Sequence, residues 1–350
     1  MTRTGSTLIA LLLTATSSFA QPAAPQPDTS PHTVQMVPVA EGVELEVLDW
    51  GGSGPPLVFL AGMGFTAHDF DAFALRFVPA HHVYAITRRG FGASSKPAPD
   101  GSNYSANRLG DDVLAVMDTL KLDRPVLAGH SLAGEELSSV ATRHPEKLAG
   151  VVYLDAAYGY AYYAPGNLNP SNVNLTIDVN EIRRNVQELA PLWQRPEEAI
   201  AAIDLIRKAE LPKLEADIRA AQSALRAYPP APPTPPRPQG AVQSPQMKII
   251  SAIVDGVQRF GAVHVPVLAI YAMPEAAPSG APPEIAAYVL GADKITKPGL
   301  IERYRQGNPS ARVVVISNAQ HFVFKSNPDQ VAREMDAFMA TLPKVENARP

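Results

Sequence analysis

The stretch from Pro125 to Gly134 reads Pro-Val-Leu-Ala-Gly-His-Ser-Leu-Ala-Gly, an apolar run followed by a serine with Gly129 and Ala133 two residues to either side. A serine hydroxyl is a weak nucleophile until a base takes its proton, and a tight strand-to-helix turn is one way to present it. Small residues at Gly129 and Ala133 let the two backbones of such a turn pass closely, so Ser131 is the candidate nucleophile. A base is needed next. His321 lies in Ser317-Asn318-Ala319-Gln320-His321-Phe322, after the apolar run from Arg312 to Ile316 and before a helical pattern from Pro328 to Leu342. That places it in a loop at the carboxyl end of a strand, where open parallel sheets carry their functional residues. His81, His82 and His264 precede strands, His68 opens a helix and His144 ends one, which suits solvent or capping roles, and His130 beside the serine reads as a packing or hydrogen-bonding residue. The third group is a carboxylate. Asp155 ends the apolar run Val151 to Leu154, and Glu275 follows the run ending in Tyr271-Ala272-Met273-Pro274. A buried strand fixes the start of the loop at Asp155, whereas Glu275 sits among Pro274, Ala276, Ala277 and Pro278 with little to hold its rotamer. Asp155 is therefore favoured, with Glu275 the alternative acid.

The elements that must position these groups alternate in type. Leu57 to Leu60 form a buried strand that leaves into Ala61-Gly62-Met63-Gly64, and Val83 to Ile86 form another that leaves into a turn-rich loop through Pro97. Leu109, Val113, Val116, Met117 and Leu120 are helically spaced within Asn107 to Leu120, and Leu132 to Arg143 suit a helix directly after the serine. Strand and helix in this order imply an α/β fold, a mostly parallel, doubly wound sheet covered on both faces.

On these residues the chain resembles the α/β-hydrolases, the superfamily of serine esterases, lipases and dehalogenases, over about residues 33–165 and 262–342. The resemblance implies an oxyanion hole made by the backbone N–H groups of Met63 and Leu132, with Gly62 lining the substrate site. Where the family often has His-Gly this chain has Ala61-Gly62, which matters little because the amide does the work. Arg89-Gly90-Phe91-Gly92 resembles a structural loop after the family's fourth strand. The fold implied is a core of residues 33–157 and 264–343, with a helical cap, residues 158–263, inserted after the sixth strand. Helical spacing in the cap runs over Asn180 to Trp193, Pro196 to Ala209, Lys213 to Tyr228 and Met247 to Phe260, and the proline-rich residues 229–238 can only be extended. Tyr158 and Tyr162, at the start of the cap, are candidate substrate contacts, although tyrosines at a cap–sheet interface would look the same. The activity implied is hydrolysis of a small to medium, apolar carboxylic ester through an acyl-enzyme. Carbon–carbon bond hydrolysis or perhydrolysis with the same three residues, or a non-catalytic ligand-binding relative, are the alternatives. Dehalogenase and epoxide hydrolase chemistry in this superfamily uses aspartate in place of Ser131.

Composition narrows the setting. A chain of 350 residues can bury one large core, and a net charge of −4 without a basic patch argues against nucleic acid as a partner. No His-Glu-x-x-His pair, no cysteine and no phosphate-binding glycine loop occurs, so the sequence implies no metal and no cofactor, and a small molecule as the partner. Arg3, the apolar stretch Leu8 to Leu13 and Ser18-Phe19-Ala20 have the form of a signal peptide cut after Ala20, leaving residues 21–32 as a disordered mature N-terminus. The apolar stretch is too short to span a membrane, so the expected product is exported, periplasmic or secreted, with no stable span. Nothing in the sequence speaks to oligomeric state.

Overall fold

The structure is a computed structural model and describes residues 31–166, 173–192, 194–227, 243–276 and 282–343. Residues 1–20, read as a signal peptide, and the proline-rich residues 229–238 lie outside the described residues, as do 21–30 of the expected disordered N-terminus. His32, at the end of that segment, packs edge-on against Trp50, so order begins before residue 33.

Among the described residues the strands form one sheet. These are β1 (Thr33–Ala40), β2 (Val43–Gly51), β3 (Pro56–Leu60), β4 (His82–Ile86), β5 (Val126–His130), β6 (Gly150–Leu154), β7 (Val267–Ala272) and β8 (Arg312–Ile316). The order across the sheet is β1-β2-β4-β3-β5-β6-β7-β8. β1 and β2 pair antiparallel, and β2 pairs antiparallel with β4, while all pairs from β4 through β8 are parallel. Parallel strands covered on both faces must be apolar on both sides. Accordingly β5, β6 and β7 are buried along their whole length.

Apolar cores lie on both faces of the sheet. One gathers Leu109, Val113 and Met117 of helix α1 (Ala106–Thr119) with Leu137 and Val140 of helix α2 (Gly134–Arg143). The other stacks Phe59, Phe70, Phe73 and Phe324 with ring centroids 4.6 to 5.8 Å apart, and Val331 and Met335 join it. The doubly wound arrangement expected from the alternation of elements is present, with a helical insertion after β6. In it lie α3 (Val173–Leu189), α4 (Pro196–Leu205), a π-helical turn Ile206–Glu210 and α5 (Leu211–Ala227), and α6 (Pro245–Asp255) returns the chain toward β7. Asn180, read as the first residue of a helix, falls inside α3, and Pro196–Ala209, read as one helix, changes from α to π at Ile206.

Two features differ from the sequence reading by omission. The strands β1 and β2 close the antiparallel end of the sheet. Helix α7 (Pro283–Gly307) runs through Gly291, Pro298 and Gly299, residues that read as breaks. Helix α8 (Pro328–Met339) follows β8 and ends the core.

Candidate active site

Three loops leave the carboxyl ends of β5, β6 and β8 and bring Ser131, Asp155 and His321 together. His321 Nδ1 lies 2.7 Å from Asp155 Oδ2, and His321 Nε2 lies 2.8 Å from Ser131 Oγ. The chain of groups runs from a fully buried carboxylate, through an imidazole 29% exposed, to the serine. Ser131 stands at φ +52° and Asp155 at φ +48°, the left-handed region that side chains rarely adopt. Both sit directly after a buried strand, and the strand ends over-determine them. Close passage at the elbow depends on small residues: a Cβ on Gly129 would come within 3.1 Å of Ala133 Cβ, and one on Gly134 would come within 2.1 Å of the Ala156 carbonyl oxygen. The sequence reading singled out Gly129 and Ala133 and missed Gly134, which lets helix α2 touch the loop that carries Asp155.

The Asp155 carboxylate is saturated with donors. Tyr158 donates its phenol hydrogen to Oδ1 at 2.6 Å, the Ala272 amide donates to the same oxygen at 3.0 Å, and His321 takes Oδ2. Burial alone would raise this carboxyl, but the Lys297 charge, the His321 ring and the Tyr158 hydroxyl outweigh it and hold it below the ordinary carboxylate range. His321 follows the opposite balance: burial lowers it, while the Asp155 hydrogen bond and charge, with Glu275 behind them, raise it above its ordinary value. His130, buried under the imidazole, is pushed well below its usual range by burial and by the charge of His321. One of its ring nitrogens, Nε2, lies 3.1 Å from the His321 carbonyl oxygen, and its ring packs on Phe322 and Phe324, the packing and hydrogen-bonding role its sequence position suggested.

The loop after β3 is anchored from behind. Buried Arg88 donates to the carbonyls of Ala61 at 3.1 Å and Gly62 at 3.3 Å, and its remaining N–H groups form a two-pronged pair with Glu136 of α2 at 2.6 and 2.8 Å. The Phe65 amide also donates to the Gly62 carbonyl. Because a trans peptide is planar, a carbonyl turned toward Arg88 turns the next amide, that of Met63, the other way. Leu132 lies in the helical turn Ser131–Ala133, where the first N–H groups lack intrahelical acceptors. Gly62 lies against the elbow, since a Cβ there would stand 3.3 Å from Ser131 Cβ. The Arg88–Glu136 anchor was not read from the sequence: one partner sits in a turn-rich loop and the other in a helix, and nothing in their spacing joins them.

The remaining candidates are engaged with the protein's own groups. The Tyr158 hydroxyl is committed to Asp155. Tyr162 packs edge-on against Tyr304 and its hydroxyl lies against Gly307 at the end of α7, so it belongs to the interface of insertion and core. Between them in sequence, Tyr160 is buried beside Ser131; burial and the Asp155 charge hold its phenol well above the ordinary range, so it stays a neutral O–H. Glu275 does not bond His321. Its carboxylate accepts from Lys297 Nζ at 2.9 Å and its amide donates to Asp293 at 3.0 Å. The expectation that little holds its rotamer is thus corrected: Lys297 holds it, from a helix, α7, that runs through glycine and proline.

Sheet order, elbow and loops have an established counterpart. The chain belongs to the alpha/beta hydrolase family, which residues 57–334 match. It is 34% identical over 115 residues to a fluoroacetate dehalogenase from a Burkholderia species, covering 32% of this chain and 38% of that enzyme. It is 32% identical over 123 residues to a bifunctional esterase/perhydrolase of Acinetobacter calcoaceticus, covering 34% of this chain and 44% of the relative. The matches therefore span less than half the length of these relatives. A crystal structure of E-2-(acetamidomethylene)succinate hydrolase superposes on 89% of this chain and 100% of its own with a TM-score of 0.52 at 20% identity, which shows a shared fold. No helix among the described residues is long and apolar enough to cross a membrane.

Proposed function

We propose that the protein is a serine hydrolase that cleaves small to medium, uncharged carboxylic esters through an acyl-enzyme. The observation that carries this reading is the continuous hydrogen-bond chain from Asp155 through His321 to Ser131. In this reading His321 takes the Ser131 proton as Oγ attacks the ester carbonyl, Asp155 holds the imidazole tautomer and stabilises the imidazolium, and the amides of Met63 and Leu132 receive the oxyanion. Collapse expels the alcohol, protonated by His321, and water repeats the sequence to release the acid.

The charge pattern supports an uncharged acyl group. Arg88 is paired with Glu136, Lys297 with a set of carboxylates, and Lys325 with Asp69, so the cations near the triad already have anionic partners. A substrate carboxylate would find the excess negative charge around Asp155 instead. The insertion is read as a cap that sets substrate size, and residues 1–20 as an export signal, giving a periplasmic or secreted protein that begins at Gln21. Intact mass of the exported protein checks the last point.

The deciding experiment is labelling by a fluorophosphonate probe together with a panel of aryl esters of acetate, butyrate, octanoate and a succinate half-ester. The expected result is covalent labelling at Ser131 and turnover of the neutral esters, with the succinate half-ester poorest. Absence of both labelling and ester turnover in folded protein would overturn the assignment.

A further inference from the structure

One buried lysine connects every carboxylate around the imidazole. Lys297 of α7 is 3% exposed at its side chain, and its Nζ lies 2.9 Å from Glu275 Oε2, 3.1 Å from Asp293 Oδ2 and 3.8 Å from Asp155 Oδ2. It also donates to the Ala272 carbonyl at 2.9 Å, the residue whose amide bonds Asp155. The proton-binding atoms of Asp155, Glu275 and His321 all lie within 4.8 Å of one another, so two carboxylates face a single imidazole. Two such anions would stabilise imidazolium to the point where it no longer accepts the serine proton at neutral pH.

We propose that Lys297 is a positioning residue of this site: its ammonium draws the Glu275 carboxylate off His321, leaves Nδ1 to Asp155, and offsets the second negative charge so that the imidazole remains a base. The inference rests on the reading of Ser131, His321 and Asp155 as a triad and adds a residue to it. The groups that face His321 are Asp155 from the end of β6, Glu275 from the end of β7, Lys297 from α7 and neutral His130 from β5 under the ring; Asp293 of α7 bonds Lys297 and not the imidazole, and Lys325, after His321, lies over Phe322 and pairs with Asp69. Of these, Glu275 and Lys297 oppose each other directly. Removing the ammonium should raise the titration midpoint of His321, removing the Glu275 charge should lower it, and removing both should nearly cancel.

The test is an NMR titration of the His321 ring carbons in the full chain, assigned by the signal lost in His321→Gln, for wild type, Lys297→Met, Glu275→Gln and the double variant. The expected midpoint rises by on the order of one pH unit in Lys297→Met, falls in Glu275→Gln and returns to within a few tenths in the double variant. The acid limb of kcat/KM on a neutral ester should move by the same amounts. A lysine that only fills space would lower stability or turnover without moving either midpoint. If Lys297→Met does not fold, Glu275→Gln still decides, because an unmoved His321 midpoint in that variant overturns the proposal. The ring titration needs no turnover, so active Ser131→Ala protein would defeat the triad while leaving the midpoint shifts to be read on their own.

Discussion

The carboxyl end of the sheet and the helical insertion hold their charges and apolar groups in contrasting ways. At the sheet end, Arg88–Glu136 and Arg89–Asp112 are buried two-pronged pairs, and the strands beneath them are apolar on both faces. In the insertion, Val186, Ile200, Ile203, Leu205, Leu211 and Ile218 are between 47% and 62% exposed. A buried charge cluster also lies there: Arg259 pairs with Asp178 at 2.5 Å and with Glu210, while Tyr163 donates to Asp178 at 2.7 Å. The difference teaches where each property resides. Groups whose separations must be held to tenths of an ångström sit on strand ends held from both sides, whereas the insertion leaves apolar side chains exposed on helices tied to the core side by the buried Arg259 cluster. The largest effects should come from breaking the first region and the smallest from trimming the second.

Ser131→Ala should abolish ester turnover, by up to on the order of 10⁶, while the melting temperature stays near wild type, since one hydroxyl is lost from a half-buried turn. Turnover assays and thermal melts on the same sample check this, and wild-type turnover in the variant would remove the elbow from the mechanism. Asp155→Asn should follow with a loss of up to about 10⁴, because the amide cannot hold the imidazole tautomer. Glu275→Gln should cost under about tenfold, measured at the optimum pH of each variant. Equal losses would make the two carboxylates equivalent partners of His321.

Much of this geometry is legible in the sequence. The glycine-serine-alanine pattern recurs in ordinary turns, and the elbow is legible because it stands after an apolar run and before a helical pattern in an alternating series, while His321 follows from its place after the last strand. Asp155 over Glu275 was favoured because a strand end fixes a side chain better than a loop. What could not be read was the means by which loops are held. Tyr158 lies three residues beyond Asp155, close enough that an acid–hydroxyl pair could have been considered, but Lys297 comes from a helix that glycine and proline disguise as loop. Arg88 and Glu136 meet only because β4 and the helix after β5 share one face of the sheet.

The pH dependence sharpens the picture of the sheet end. Only neutral imidazole can take the serine proton, so activity falls as pH drops through the His321 midpoint. Burial lowers that midpoint, but the Asp155 hydrogen bond and charge raise it further, to a net position above the ordinary 6.5. The acid limb of kcat/KM should therefore fall at a pH above about 6.5, and a limb below 6 would mean that burial outweighs Asp155.

In the insertion the corresponding break is Arg259→Met, which leaves Asp178 and Glu210 without their shared cation. Glu210 keeps Lys213 and Asp178 keeps the Tyr163 hydroxyl, so the loss should fall below the roughly 3–5 kcal/mol of a fully stranded buried charge, yet this variant should melt earlier and change the ratio of octanoate to acetate turnover, with fluorophosphonate labelling of Ser131 retained. Loss of labelling together with the ratio change would place the cluster in the chemistry and not in access.

The smallest effect should come from a pair of the same chemical type in the same insertion. Arg219 and Glu215 face each other across one turn of α5 with side chains 74% and 63% exposed. Water screens such a pair and two long side chains must be ordered to make it, so exposed i,i+4 ion pairs yield roughly 0.3–0.5 kcal/mol. Arg219→Ala should therefore shift the melting temperature by no more than about 2 °C and leave both the ester ratio and the labelling rate unchanged. The comparison with Arg259→Met sets an exposed arginine with one acidic partner against a largely buried one with two. If Arg219→Ala proves as damaging as Arg259→Met, the buried cluster is not what holds the insertion, and the exposed helix surface carries a contact that ion pairing alone does not explain.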